Sequence, residues 1–260
     1  MRRSSRVNGI ASRLAIACTV AGAAACGGGG DDRAAAGSRS RSSTVWLTPP
    51  GRGESTPLPP VAGATGPRVV ILGDSLTAGL GLPIQEAYPS LLQRRIADKG
   101  WDYTIVNAGA SGDTSAGGLS RFDWALDGDV RVLVLALGGN DGLRGLPVAE
   151  LSRNLASIIE RAQARGVSVV LAGMEAPPNY GVDYIVGFHK AYPALAKKYK
   201  VPLVPFLLEG VGGVLALNQN DGIHPNAEGA KIVADNVWTV LEPIIESDAR
   251  RADRGKAPGR

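Results

Sequence analysis

Residues 69–76 read Val-Val-Ile-Leu-Gly-Asp-Ser-Leu, an unbroken apolar run that ends in a glycine and two polar residues. A short run of aliphatic residues without polar alternation is typical of a strand whose two faces are both covered by helices. The Gly73-Asp74-Ser75 turn that follows places a carboxyl and a hydroxyl group where this strand ends. The segment therefore predicts one strand of a buried parallel sheet, with reactive groups at its carboxyl end.

The same alternation of strand and helix patterns continues along the chain. Besides Val69–Leu72, the predicted strands are Thr104–Val106, Val132–Leu137, Val167–Leu171 and Val201–Val204. Helical periodicity covers Tyr88–Asp98, Ser115–Ala125, Val148–Arg165, Val182–Tyr199 and Ala227–Ile245, the last with Asn226 as its N-cap. Repeated βα units predict an α/β fold with a doubly wound parallel sheet of about five strands. The functional groups of such folds lie beyond the carboxyl ends of the strands.

Three more polar segments complete a set of groups suited to acyl transfer. They are Ser111-Gly112-Asp113-Thr114, Gly138-Gly139-Asn140-Asp141 and Asp221-Gly222-Ile223-His224. Acyl transfer needs a nucleophile, a base to take its proton, a group that orients the base, and donors for the oxyanion. Ser75 supplies a hydroxyl, and the Gly112 amide, the Asn140 carboxamide and the Ser75 amide are the candidate oxyanion donors.

The pair Asp221 and His224 is the most specific local signal. The chain has two histidines, and only His224 has an acid three residues away. Pro225 disfavours helical geometry at His224, so the pair is predicted in a loop that leads into the last helix. The carboxylate then holds Nδ1–H and leaves Nε2 free to take a proton. His189 lies in a predicted helix without a nearby acid and is interpreted as a surface or packing residue.

Each candidate also has an ordinary structural interpretation. A serine after a strand often caps a turn, glycine provides a positive φ angle at position 112, and an asparagine such as Asn140 often forms turns. Asp113 and Asp141 are expected to structure their loops through nearby amides rather than to act as acids. No Gly-x-Ser-x-Gly motif surrounds any serine, which argues against the α/β-hydrolase fold.

Charge placement argues against a nucleic-acid partner. Residues 68–246 contain 15 basic and 19 acidic residues, while the flanking segments carry the other 13 basic and 5 acidic ones. The excess positive charge thus lies outside the predicted domain. That domain has no cysteine and no His-Glu-x-x-His motif, and no phosphate-binding loop is evident. Neither a metal nor another cofactor is expected.

The N-terminal residues predict export. Arg2, Arg3, Arg6 and Arg13 precede a short apolar stretch, and Cys26 follows three alanines. The stretch resembles a bacterial lipoprotein signal, in which Cys26 is lipidated, although simple cleavage after small residues fits as well. Residues 1–26 are thus expected to be an export signal and 27–67 a disordered tether. The folded domain is expected at 68–246, with a disordered basic tail at 247–260. The protein would be periplasmic or held at a bacterial membrane.

These segments, in this order, resemble the SGNH (GDSL-type) hydrolase family. The resemblance extends from about Arg68 to Glu246 and is closest to the bacterial acyl-CoA thioesterase I/lysophospholipase L1/arylesterase group. Besides the four segments above, it includes Pro178-Asn179-Tyr180-Gly181. The family fold is a flavodoxin-like three-layer α/β/α sandwich, which the βα alternation indicates independently.

The resemblance implies specific roles for these residues. Ser75 would be the nucleophile, His224 the base and Asp221 its partner, while Ser75, Gly112 and Asn140 would line the oxyanion hole. The substrate would be a small acyl ester, thioester or lysophospholipid, and the protein a monomer. Two alternatives stay open. One is a carbohydrate deacetylase on the same fold, and the other is a tethered, non-catalytic binding lipoprotein.

Overall fold

The computed structural model describes residues 66–256, with side chains through residue 251. Its centre is a five-stranded sheet in the order β2-β1-β3-β4-β5, and every neighbouring pair is parallel. The strands are β1 (Arg68–Gly73), β2 (Thr104–Gly109), β3 (Val130–Ala136), β4 (Ser168–Ala172) and β5 (Leu203–Val204). The prediction of a parallel α/β sheet with about five strands is confirmed.

Eight α-helices accompany this sheet in the described part of the chain. They are α1 (Ser75–Ala78), α2 (Tyr88–Asp98), α3 (Ser115–Ser120), α4 (Phe122–Ala125), α5 (Gly139–Leu143), α6 (Val148–Ala164), α7 (Val182–Tyr199) and α8 (Ala227–Lys256). Helix α2 packs against α8, while α6 packs against both α3 and α7. The two helical layers enclose the sheet, so its central strands are apolar on both faces. Val70 and Leu72 of β1 and Val134 of β3 are completely buried.

The predicted helix over 115–125 is interrupted. Arg121 separates α3 from α4 with a φ of −104° and a ψ of 11°, outside helical geometry. Its guanidinium group donates to Asp113 Oδ2 at 2.6 Å and to the Gly73 carbonyl at 2.8 Å. These tertiary bonds tie Arg121 to two strand-end loops. Local helical propensity is overridden at this residue by contacts that the sequence pattern does not reveal.

The last helix is longer than expected. It begins at Ala227, as predicted, but runs to Lys256 instead of ending at Ile245. The expectation of a disordered tail from Ser247 is therefore wrong for residues 247–256. Tyr103 Oη donates to Asp248 Oδ2 at 2.7 Å, which ties the extension to the domain. An ion pair between Arg250 and Glu246, one helical turn apart, supports it further.

Strand β5 is shorter than predicted, since pairing begins at Leu203 rather than Val201. Pro202 has no N–H to donate to a neighbouring strand, and only its carbonyl takes part, accepting from Leu171 N at 2.9 Å. The short strand lies at the sheet edge, where a proline is tolerated.

Several expectations concern residues outside the described range. The export signal at 1–26, Cys26 and the tether at 27–67, apart from Gly66 and Pro67, belong to that part of the chain. Within residues 66–256, none of the helices combines the length and apolar character that crossing a membrane requires.

Candidate active site

The candidate nucleophile lies in the turn between β1 and α1. Asp74 is the N-cap of α1, and its Oδ1 accepts from the Leu76 amide at 3.0 Å, so that Ser75 occupies the first position of this helix. Gly73 makes the turn possible, because a Cβ there would overlap Thr77 Oγ1. The turn therefore sets Ser75 at the carboxyl edge of the sheet, as the sequence predicts.

Ser75 and His224 meet across the carboxyl edge of the sheet. Ser75 Oγ lies 2.8 Å from His224 Nε2, within hydrogen-bond distance. Ser75 is 8% exposed, and the His224 side chain is 16% exposed. The hydroxyl is thus shielded from bulk water but open to the cleft described below.

Asp221 holds the other side of the imidazole ring. Its Oδ2 lies 2.6 Å from His224 Nδ1, while its Oδ1 accepts from the amides of Ile223 and His224 at 2.9 and 3.0 Å. These backbone hydrogen bonds, with the imidazole contact, lower the pKa of the Asp221 carboxyl to about 2. The group is therefore ionised throughout the neutral range and keeps Nδ1 protonated, which leaves Nε2 to face Ser75 as an acceptor.

The loop that carries His224 is fixed at both ends. The Gln219 amide donates to the His224 carbonyl at 2.7 Å, and Gln219 Nε2 donates to the Pro225 carbonyl at 3.0 Å. Asn226 Oδ1 accepts from the Gly229 amide at 3.0 Å, which confirms Asn226 as the N-cap of α8. The imidazole is thus held by a short, hydrogen-bonded loop that is continuous with a long helix.

Asn140 presents its carboxamide to the same cleft from α5. Asn140 Nδ2 donates to the Asp113 carbonyl at 2.9 Å and lies 3.4 Å from Asp74 Oδ2. Both neighbours are acceptors, so the NH₂ group rather than the carbonyl oxygen of the carboxamide occupies this position. One N–H is committed to Asp113. The contact of the carboxamide with Asp74 is the longer and therefore the weaker of the two.

Gly112 lies beside the site in the loop after β2. Its φ of 84° confirms that a positive φ angle is required at this position. The Gly112 carbonyl accepts from Arg144 Nη2 at 2.8 Å, and the next residue, Asp113, is the one bonded to Asn140. Two adjacent hydrogen bonds thus join the loop of Gly112 to the segment that contains Asn140. Gly112 itself lies at the side of the cleft and is not one of its lining residues.

Asp141 and Asp113 structure their loops, as expected. The Asp141 carboxylate is 2% exposed and accepts from the Ser115 amide at 2.8 Å and from Ser115 Oγ at 2.6 Å. Asp113 pairs with Arg121, which also binds the Gly73 carbonyl. These bonds connect the loops after β1, β2 and β3, and so they fix the candidate donors relative to one another.

Asp74 has a buried carboxyl group, for which the sequence predicts a position at the end of β1 but not its burial. It is 2% exposed, and burial raises its pKa to about 6, against the lowering effects of the Leu76 amide and of His224. The signal available from the sequence was a charged residue immediately after a fully apolar strand. Such a carboxyl group, next to the candidate nucleophile, influences both the stability of the protein and the electrostatics of the site.

A cleft of about 470 Å³ opens beside Ser75 and His224. Its walls are mainly apolar and come from the loops after β4 and β5 and before α8, with Met174, Ala176, Pro177, Pro178, Phe206, Leu208 and Ile223 among the lining residues. Sequence reasoning missed most of these side chains, because an apolar residue in a loop gives no sign of the cavity it faces.

The second histidine lies apart from the pair formed by Ser75 and His224. His189 is exposed on α7, and its Nδ1 lies 2.6 Å from Glu175 Oε1, a partner 14 residues away. Its interpretation as a helix-surface residue agrees with this position. Within the described residues, no three histidine, cysteine, aspartate or glutamate side chains form a group that could hold a metal ion.

Several named proteins are similar in sequence to most of this domain. Esterase TesA of Pseudomonas aeruginosa is 49% identical over 178 residues, which cover 68% of this chain and 89% of the relative. Thioesterase 1/protease 1/lysophospholipase L1 of Escherichia coli K12 is 38% identical over 182 residues, covering 70% of this chain and 86% of the relative. A crystal structure of TesA superposes with a TM-score of 0.65 at 49% identity, covering 68% of this chain and 99% of that one.

A family model matches the same part of the chain. The match spans residues 71–232, from within β1 to the start of α8, and contains Ser75, Asn140, Asp221 and His224. It agrees with the parallel five-stranded sheet, with the segment order of the sequence and with the named relatives. The chain therefore belongs to the GDSL-like lipase/acylhydrolase family.

Proposed function

We propose that the protein is a serine ester hydrolase that cleaves carboxylic esters or thioesters of acyl chains. The observation that carries the proposal is the continuous chain Ser75 Oγ to His224 Nε2 at 2.8 Å and His224 Nδ1 to Asp221 Oδ2 at 2.6 Å. This arrangement lets one imidazole take a proton from the hydroxyl while a carboxylate stabilises the imidazolium that forms.

Acylation begins when Ser75 Oγ attacks the acyl carbonyl carbon and His224 Nε2 accepts the hydroxyl proton. The carbonyl oxygen becomes an oxyanion, which accepts from the Ser75 and Gly112 amides and from Asn140 Nδ2, whose long contact with Asp74 it replaces. When the intermediate collapses, the bond from the carbonyl carbon to the leaving oxygen or sulfur breaks. His224 then returns its proton to the leaving group, and an acyl ester on Ser75 remains.

Deacylation repeats these steps with water. His224 Nε2 takes a proton from a water molecule that attacks the acyl-enzyme carbonyl, and the same donors hold the second oxyanion. Collapse returns the proton to Ser75 Oγ and releases the carboxylic acid. Asp221 remains ionised throughout because its lowered pKa resists protonation.

The cleft supports an acyl substrate rather than a polar one. Its apolar walls and its volume of about 470 Å³ suit a hydrocarbon chain next to the reacting hydroxyl. The printed names of the relatives, an esterase and a thioesterase/lysophospholipase, indicate the same substrate class. The named alternatives, a carbohydrate deacetylase and a non-catalytic binding protein, predict different behaviour.

The proposal is tested by measuring how the hydrolysis rate of the purified full-length protein depends on the length of the acyl chain in the substrate. We expect p-nitrophenyl esters and neutral thioesters of medium-chain acids to be hydrolysed, and Ser75→Ala to retain only residual activity. Faster release of acetate from an acetylated sugar than of any longer acyl group would favour the deacetylase. Equal rates for the wild type and Ser75→Ala would remove Ser75 from the mechanism.

We also propose that the chain is exported and held at the membrane through Cys26. The support is the arginine-rich start, the short apolar stretch that follows and the cysteine after three alanines. Metabolic labelling with a fatty acid in a bacterial host tests this proposal. Label on the wild type and its loss in Cys26→Ser support lipidation, whereas an unlabelled, soluble periplasmic product supports simple cleavage.

A further inference from the structure

The large cleft contains a partly exposed ionisable side chain that the proposed mechanism does not use. Among the described residues that line it, Asp74, Glu175 and His224 are ionisable. Asp74 is buried, and His224 belongs to the proposed catalytic pair. Glu175 stands between the apolar residues Met174 and Ala176 in the wall that follows β4, and its side chain is 34% exposed. A partly exposed carboxylate in an apolar wall gives the cleft a charge preference.

The Glu175 carboxylate is held in place from outside the cleft. Its Oε1 lies 2.6 Å from His189 Nδ1 on α7, and the His189 side chain is 64% exposed. This contact limits the rotation of Glu175 away from the wall. Because the histidine is largely hydrated, it screens the carboxylate only weakly.

The other charges around the cleft do not reverse its sign. Asp221, which is 44% exposed, adds a second carboxylate on the His224 side. Two described cations are joined to this region. Arg121 is paired with the Asp113 carboxylate and donates to the Gly73 carbonyl, and Arg144 donates to the Gly112 carbonyl at the side of the site. A substrate whose acyl carbon lies at Ser75 thus shares this cleft with the Glu175 carboxylate.

We propose that Glu175 is a specificity-determining residue that favours acyl substrates with cationic or neutral leaving groups over polyanionic ones such as coenzyme A. This inference rests on the proposed function and specifies the charge of the leaving group in its substrates. Repulsion between the Glu175 carboxylate and a phosphate-bearing thiol extends over the Debye length, which is about 8–10 Å at moderate salt and longer at low salt. The repulsion acts on substrate capture, so it lowers kcat/KM mainly through KM.

The experiment uses three octanoyl thioesters that differ in the charge of the thiol. They are octanoyl-thiocholine, which is cationic, octanoyl-N-acetylcysteamine, which is neutral, and octanoyl-coenzyme A. The full chain, Glu175→Gln and Glu175→Lys are assayed by thiol release at pH 8, where imidazoles are generally uncharged. Glu150→Gln, an exposed glutamate on α6 paired with Arg153, is the matched control.

For the wild type, we expect kcat/KM to be lowest with the coenzyme A thioester. Glu175→Gln should raise the coenzyme A to thiocholine ratio about 3- to 10-fold, and Glu175→Lys should raise it further. Glu150→Gln should leave the ratio unchanged, and 0.5 M salt should shrink the effect of Glu175→Gln. His189→Gln, which keeps the carboxylate, should change the ratio less than Glu175→Gln does.

An unchanged ratio in both Glu175 variants would overturn the assignment, as would a wild-type preference for the coenzyme A thioester that Glu175→Gln leaves intact. Since Glu175 is partly exposed, both variants are expected to fold, and thermal unfolding checks this expectation. Failure of the wild type to hydrolyse any of the three thioesters or a p-nitrophenyl octanoate control would overturn the proposed function itself, and with it this inference.

Discussion

Ser75 Oγ and His224 Nε2 lie 2.8 Å apart, although 149 residues separate them in the sequence. Ser75 is placed by the turn after the inner strand β1, and His224 by the loop that precedes α8. The contact therefore depends on the complete sheet and on the helix that returns across it. A hydroxyl and an imidazole at this distance form the arrangement that proton transfer during nucleophilic attack requires.

Asn140→Ala should lower kcat by about 10²- to 10³-fold, because it removes one donor from the developing oxyanion. The same change removes the hydrogen bond to the Asp113 carbonyl, so some loss of stability accompanies it. Steady-state kinetics on an octanoyl ester, with circular dichroism to verify the fold, measures both effects. Near-normal turnover by a folded Asn140→Ala protein would exclude this side chain from oxyanion stabilisation.

Asp221→Asn should reduce kcat by at least about 10²-fold with little effect on stability. An amide at this position no longer stabilises the imidazolium of His224. Removal of the triad carboxylate lowers kcat strongly in serine hydrolases generally. The Asp221 side chain is 44% exposed, so unfolding should change little at neutral pH. Measuring kcat together with the urea concentration at half unfolding tests this prediction. A large shift of that midpoint with an unchanged kcat would assign Asp221 a structural role.

Asp141→Ala should have the reverse effect of Asp221→Asn and lower the unfolding free energy more than it lowers kcat. The buried carboxylate accepts two hydrogen bonds from Ser115, and its loss leaves those donors unsatisfied. The expected cost is roughly 1–3 kcal/mol of unfolding free energy, measured by urea denaturation. Asp98→Ala, at an exposed position on α2, serves as the control and should remain within about 0.5 kcal/mol of the wild type. Equal stability of the two variants would contradict this assignment.

Asp74 should make the protein more stable at mildly acidic pH. Its pKa is about 6 in the folded state and 3.8 ordinarily, so between these values the folded state binds a proton that the unfolded state has released. Raising the pH through this window therefore lowers the unfolding free energy, by at most about 3 kcal/mol in total. Asp74→Asn should lack this component, as urea denaturation at pH 4, 5, 6 and 7 will show.

The effect of Asp221 has the opposite sign and a different window. Its pKa is lowered to about 2, so its contribution to stability, which solvent screening keeps small for this exposed group, is present above pH 3.8 and is lost as the pH falls toward 2. The two carboxyl groups can therefore be separated by pH alone. If Asp74→Asn retained the wild-type slope between pH 4 and 6, the raised pKa of Asp74 would not be the cause.

Much of the fold follows from local pattern. Helices α2 and α7 have the predicted bounds, because amphipathic periodicity runs without interruption over both segments. The pattern failed where distant groups decide the backbone. The break at Arg121 depends on bonds to Asp113 and Gly73, and the extension of α8 depends on Tyr103.

The candidate site divides in the same way. Asp221 and His224 are three residues apart, so their contact can be predicted from the sequence. Ser75 and Asn140 each follow a predicted strand of a parallel sheet, so both are expected at the edge where the carboxyl ends of the strands lie. The burial of Asp74 and the cleft wall with Glu175 could not be predicted in this way. Both depend on side chains from several loops whose relative positions only the folded chain defines.

The most direct measurement is covalent labelling with a fluorophosphonate probe, followed by peptide mass spectrometry. The account predicts a single adduct on the peptide that contains Ser75, no labelling of Ser75→Ala, and much slower labelling of His224→Ala. Rapid labelling at another residue, or labelling of Ser75 at the same rate in His224→Ala, would contradict the claim that His224 activates Ser75.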